Sequence, residues 1–159
     1  MTTLPTWNTD LGSWVIDSTT MTGPAWRPLN IEELWKGAPT RGKTRKVPGV
    51  AGSTAYARLK TERTIDVALW ITGSVDQSGT PNADPVEGFQ ANVDTLFALV
   101  APPTPPTVTR TSTLTMPDAS TRVAEILVED FDYAREKGFS HLARGVLTIT
   151  IPGGAHYSP

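Results

Sequence analysis

Few residues in this 159-residue chain have the type and spacing to do covalent or metal chemistry. His141 opens a strand-like segment and His156 lies in the terminal run PGGAHYSP, fifteen residues on and without local acidic neighbours. As a metal pair they lack further ligands at usable spacing, so both are expected at the surface. Glu129, Asp130 and Asp132 offer the oxygen atoms that hard cations take. They lack the interspersed glycine and carboxylates of a calcium loop, so a solvated strand end is expected there. The glycines of GVAG (49–52) have no Lys-Ser/Thr ending and do not join a strand to a helix, as a phosphate loop requires. There is no Gly-x-Ser-x-Gly elbow. With no cysteine there is no thiolate and no disulfide, and cysteine usage leaves the compartment open. The chain therefore reads as a non-enzyme with no cofactor and no metal.

Charge supplies a more specific signal. Residues 37–63 carry Arg41, Lys43, Arg45, Lys46, Arg58, Lys60 and Arg63 against one acid, Glu62. Glycine and proline punctuate the first two-thirds of this run, and no apolar period survives there, so an exposed basic loop or arm is expected. Such an arm is either merely solvated or laid across an acidic neighbouring surface or a phosphate backbone. The net charge of -2 gives no global nucleic-acid signature. Tyr56 is the arm's sole aromatic, and no stacking platform or recognition helix is visible.

These residues must be positioned by a small set of elements. The spacing of Val86, Phe89, Val93, Leu96, Phe97 and Val100 predicts a helix over 84–101 with one apolar stripe. Asp84 can cap it, Pro85 suits its first position, and Glu87 completes a capping-box spacing. Ala101-Pro102-Pro103 stops it. In 62–76, Ile65, Val67, Leu69 and Ile71 alternate with Thr64, Asp66, Ala68, Trp70 and Thr72, which predicts a strand whose aliphatic face receives the helix. Residues 76–84 form the connecting loop. Segments 107–116, 121–133 and 141–151 predict a three-stranded antiparallel meander, with turns at 116–121 and 134–140. In the second strand, Ala124, Ile126 and Val128 share one side. LGSWVID (11–17) can form a strand placing Trp14 and Ile16 on one face. IEELW (31–35) is either a helical turn or a strand end. Trp7, Trp14, Trp26 and Trp35 are core fillers or subunit-contact anchors. Residues 152–159 are expected to be a poorly structured tail.

One domain is expected over 1–159, of class α+β, mainly β. The N-terminus has no basic region followed by an apolar one, so no signal peptide is expected. No run approaches the length of a membrane span.

Four stretches together resemble the distal tail proteins, or minor tail proteins, of long-tailed phages infecting actinobacteria. They are the basic arm RGKTRKVPGVAGSTAYARLKTERT, the strand and turn TIDVALWITGSVDQSGTP, the helix FQANVDTLFALVAPP with Asn92 and Leu96, and the closing SHLARGVLTITIPGGAHYS. They cover roughly residues 40–158, and the likeness lies in pattern and order.

The resemblance implies a β-sandwich or half-barrel of tail-tube type, with one flanking helix and a long extended loop reaching a neighbour. It implies a structural virion protein forming a ring, six subunits in the family, between the tail tube and the tail-tip hub of a siphophage. The implied partners are the chain itself, the tail tube protein, the hub and other minor tail proteins, and the tape measure protein, with no specific nucleic acid and no membrane. The place is the virion's tail tip, assembled in the host bacterial cytoplasm. Many members carry a further carbohydrate-module-like domain, and this chain is expected to be a ring-only version. The interface expected to close the ring pairs Arg41, Lys43, Arg45, Lys46, Arg58, Lys60 and Arg63 with Glu129, Asp130 and Asp132. The alternatives are a tail tube or tail terminator ring protein of the same fold, and a nucleic-acid-binding module using the arm.

Overall fold

In the computed structural model of the chain, the residues described are 12–36, 40–41, 44–46, 53–55, 59–101, 109–154 and 156. The elements run β1 (Ser13–Ile16), β2 (Thr19–Thr20), β3 (Trp26–Pro28), α1 (Glu32–Trp35), β4 (Thr40–Arg41), β5 (Thr44–Lys46), β6 (Ser53–Ala55), β7 (Leu59–Lys60) and β8 (Arg63–Thr72). There follow α2 (Pro85–Val100), β9 (Arg110–Thr115), β10 (Thr121–Arg135) and β11 (Leu142–Ile151). Seven strands form one antiparallel sheet in the order β2-β1-β9-β10-β11-β8-β3. The fold is thus α+β and mainly β, as the sequence predicts, and β9, β10 and β11 form the expected meander. Among the described residues no helix is long and apolar enough to cross a membrane.

Strand β8 is the sheet's most regular member. Ile65, Val67, Leu69 and Ile71 are buried on one face while their alternates point the other way, because successive strand side chains take opposite faces. Helix α2 packs on that face, shared between β8 and β10. Asp84 caps the helix: its Oδ1 accepts from Val86 N at 2.8 Å and Glu87 N at 3.4 Å. The buried helix face differs from the predicted stripe. It comprises Gly88, Phe89, Asn92, Val93, Leu96 and Leu99, whereas Val86 and Phe97 are each 45% exposed. The close approach of strand end and helix start turns the Gly88–Asn92 side of the helix inward, which leaves Val86 and Phe97 at the edge of the contact. A Cβ on Gly73 would sit 1.9 Å from Pro85 O, and one on Gly88 would sit 2.5 Å from Gly73 O. Asn92 is buried in this approach, donating to Thr72 O at 2.7 Å and Val75 O at 3.1 Å. Phe97 instead leans edge-on against Phe131 and Tyr133.

The other departures lie in local geometry. Within residues 31–35, Glu32–Trp35 form one helical turn, α1, with Ile31 at its N-cap. The basic arm is not a bare loop. Its limbs pair antiparallel in two nested ladders, Thr40↔Lys60 with Arg41↔Leu59, then Thr44↔Ala55 through Lys46↔Ser53. Such short polar strands carry no apolar alternation to betray them. β10 runs two residues into the expected charged turn, to Arg135. Its register shifts between Val128 and Asp130 against β11, so Ala124 and Ile126 face the core before the bulge and Phe131 after it. Trp14 and Trp26 are core residues and Trp35 packs against the core; Trp7 lies outside the described residues.

Candidate assembly surfaces and a buried polar chain

Of the ten residues predicted to form an interface, the eight that are described fall into three settings. Arg41 and Lys60 lie on adjacent rungs of the outer ribbon ladder, while Arg45 and Lys46 lie on the inner one. Lys43 and Arg58 lie outside the described residues. Arg63 is placed differently: it is the first residue of β8, and its guanidinium binds Glu33 Oε2 at 3.3 Å and the Lys36 carbonyl at 3.0 Å. It holds α1 against the sheet, which its position in a basic run does not reveal.

Glu129, Asp130 and Asp132 are brought together by the bulge of β10, all exposed. Asp130 and Asp132 each accept a hydrogen bond from the next backbone amide, Phe131 N and Tyr133 N, at 2.8 Å. The ladder extends this acidic edge across the outer sheet face: Asp130 pairs with Thr148, which pairs with Asp66, and Thr148 Oγ1 donates to Asp66 Oδ1 at 2.8 Å. Among the described residues no ion pair reaches Glu129, Asp130 or Asp132. The next rows place Val146 beside Ala68 and line up Arg27, Trp70 and Arg144. Val146 is 43% and Leu29 49% exposed. This face therefore offers apolar area flanked by acids on one side and arginines on the other.

His156 overturns the expectation of a surface residue. It is 7% exposed. After β11 the chain turns at Pro152–Gly154, with Gly154 at φ +78°, a conformation open to glycine. His156 Nε2 then lies 2.7 Å from Ser112 Oγ, which also accepts from Trp14 Nε1 at 2.8 Å. An indole nitrogen can only donate and takes one lone pair of the Ser112 hydroxyl, which leaves that hydroxyl a proton to give His156 Nε2. In the tautomer with the ring proton on Nδ1, that proton lies on the side of the Leu34 carbonyl, without a well-formed bond to it. Burial pushes the ring down to about 4; the Leu34 carbonyl opposes this, and Arg122 and Arg63 add to it. A hydrogen-bonded Ser–His pair is the start of nucleophilic catalysis. Here Ser112 is wholly buried and receives the indole, so the pair links β1, β9 and the C-terminal turn and presents no nucleophile to solvent. Alternation with Leu114 is the signal by which sequence can place Ser112 inward; nothing local marks His156.

The sequence reading also missed Arg110. Its guanidinium reaches Leu99 O at 2.8 Å, Ala98 O at 3.2 Å and Ala101 O at 2.7 Å at the end of α2, and Asp17 Oδ2 at 2.8 Å. A cation on the last carbonyls satisfies groups that a helix leaves open.

No protein-family model matches the chain, and no curated protein matches its sequence. Solved structures do match. The Dit protein of phage SPP1, described as a paradigm of the hub adsorption apparatus in phages infecting Gram-positive bacteria, aligns with a TM-score of 0.53 and 13% identity, over 92% of this chain and 52% of that one. A chain of the phage P2 baseplate in its activated conformation with Ca gives 0.57 at 15% identity, over 83% and 38%. The phage p2 baseplate with Sr gives 0.56 at 12% identity, over 87% and 43%. The chain has a Dit-like fold and spans about half or less of the length of these matching chains.

Proposed function

We propose that this chain is a structural phage tail protein, a distal tail or minor tail protein of a siphophage infecting an actinobacterium. In this reading it forms a ring of six subunits that joins the tail tube to the tail-tip hub. The observation that carries the reading is the Dit-like fold, matched over 92% of the chain. The polar surfaces are consistent with it. A closed ring needs two different patches per subunit, meeting head to tail. The ribbon's cations at Arg41, Arg45, Lys46 and Lys60 and the acids at Glu129, Asp130 and Asp132 are such a pair, with Lys43 and Arg58 adding to the same charge. Complementary charge sets register and encounter more than affinity. The partners are other copies, the tube, the hub, neighbouring minor tail proteins and the tape measure protein, in the tail of a virion assembled in the host cytoplasm. The role involves no catalysis.

The test is the mass of the purified protein in solution, with negative-stain images of any oligomer, alone and with tail components. A discrete ring supports the proposal. Long tubes point to the tail tube protein, and a monomer that joins no tail component overturns the tail role. Reversing Arg41, Arg45 and Lys46 to Glu should move the ring towards monomer, and restoring it by reversing Glu129, Asp130 and Asp132 to Lys would assign the pair. A ring indifferent to both reversals removes these residues from the contact.

A further inference from the structure

His156 closes a gap between elements remote in sequence. It reaches Ser112 on β9, which holds Trp14 on β1, and it lies beside Leu34 of α1. Trp14, Leu34 and Ser112 are all essentially excluded from solvent. With Nε2 unprotonated, the hydrogen-bond chain runs from the indole through the serine hydroxyl to the ring. A proton on Nε2 makes it a donor and obliges the serine hydroxyl to turn its own hydrogen away from the ring. It also places a cation in an apolar gap with Arg122 of β10 and Arg63 of β8 already facing it. The Glu33 carboxylate on α1 is engaged by Arg63 and Lys36. Among the described residues, no other group supplies a charge to offset the proton.

We propose that His156 is an acid-released latch: neutral, it pins the C-terminal turn against β1, β9 and α1, and protonation releases that turn and opens this end of the core. The sign follows from proton binding. The released ring titrates near its ordinary 6.5, whereas the docked ring is held to about 4 by burial. Between those values the released form binds the proton and the docked form does not. The released-to-docked ratio therefore rises about tenfold per pH unit as pH falls, roughly 300-fold in all.

Amide and indole hydrogen exchange in the full chain, followed by NMR from pH 7 to pH 4.5 and corrected for intrinsic rates, tests this. The His156 amide and the Trp14 indole N–H should open about tenfold faster per pH unit below 6.5 while β11 amides keep their protection. In His156→Gln, which keeps a neutral acceptor for Ser112, the same probes should be flat with pH. Flat exchange in the wild type overturns the latch, and so does β11 opening in step, which is global unfolding. If His156→Gln leaves the turn undocked at every pH, the wild-type ring resonances decide. A ring that titrates together with loss of Trp14 indole protection supports the latch, and one that titrates separately overturns it.

Discussion

The β8–α2 layer and the Trp14–Ser112–His156 end belong to one core but are held in different ways. The first is held by periodic apolar faces, with Ile65, Val67, Leu69 and Ile71 under Phe89, Val93 and Leu96. Its polar atoms, Asn92 and Asp84, serve backbone groups within a few residues of the strand end and the helix start. The second is held by side-chain hydrogen bonds between residues 98 and 44 positions apart. Burial of apolar area is non-directional and tolerates small shifts. A buried donor chain is directional, and losing one member strands the others. The contrast implies a robust layer on one side and a conditional closure on the other.

The largest expected effect tests the layer. Phe89→Ala removes a wholly buried ring that meets Tyr133 edge-on at 5.7 Å and lies under the Arg135 guanidinium at 5.1 Å. It should cost about 3–5 kcal/mol in urea unfolding, with the transition still cooperative. Ser112→Ala tests the other end. It leaves the Trp14 indole N–H and His156 Nε2 without their partner and should cost about 1–3 kcal/mol. Its signature should be loss of protection at the C-terminal turn before the sheet, by hydrogen exchange. Equal loss everywhere would merge the two regions into one cooperative unit. Asp84→Ala should have the smallest effect, about 1 kcal/mol, confined to exchange at the first turn of α2.

Much of the layer was open to sequence reading because its signals are short-range. The β8 alternation, the Asp84-Pro85 start and the Ala101-Pro102 stop each sit within a few residues. The meander followed from three alternating runs separated by turn residues. The helix face was misjudged because hydrophobicity alone favoured Val86 and Phe97. Only the Gly73–Gly88 approach, which needs the strand end and helix start docked together, selects Gly88 and Asn92 for the inside. The ribbon was hidden because its short rungs hold only Ala55 and Leu59 as apolar residues and so show no alternation. The acidic run was visible as charge, but the bulge that gathers it, and its continuation through Thr148 to Asp66, depends on β11 and β8.

The sequence by itself determined the α+β, mainly β class, the capped helix, the aliphatic strand that receives it and the concentration of cations before that strand. These rest on local periodicity and backbone chemistry, which neighbouring residues settle among themselves. The tertiary structure decided that Arg63 serves α1, that Arg110 ends α2 and that His156 is interior. Each of these is a charge or proton acceptor whose role depends on which partner chain folding brings within about 3 Å, and no spacing along the chain encodes that partner.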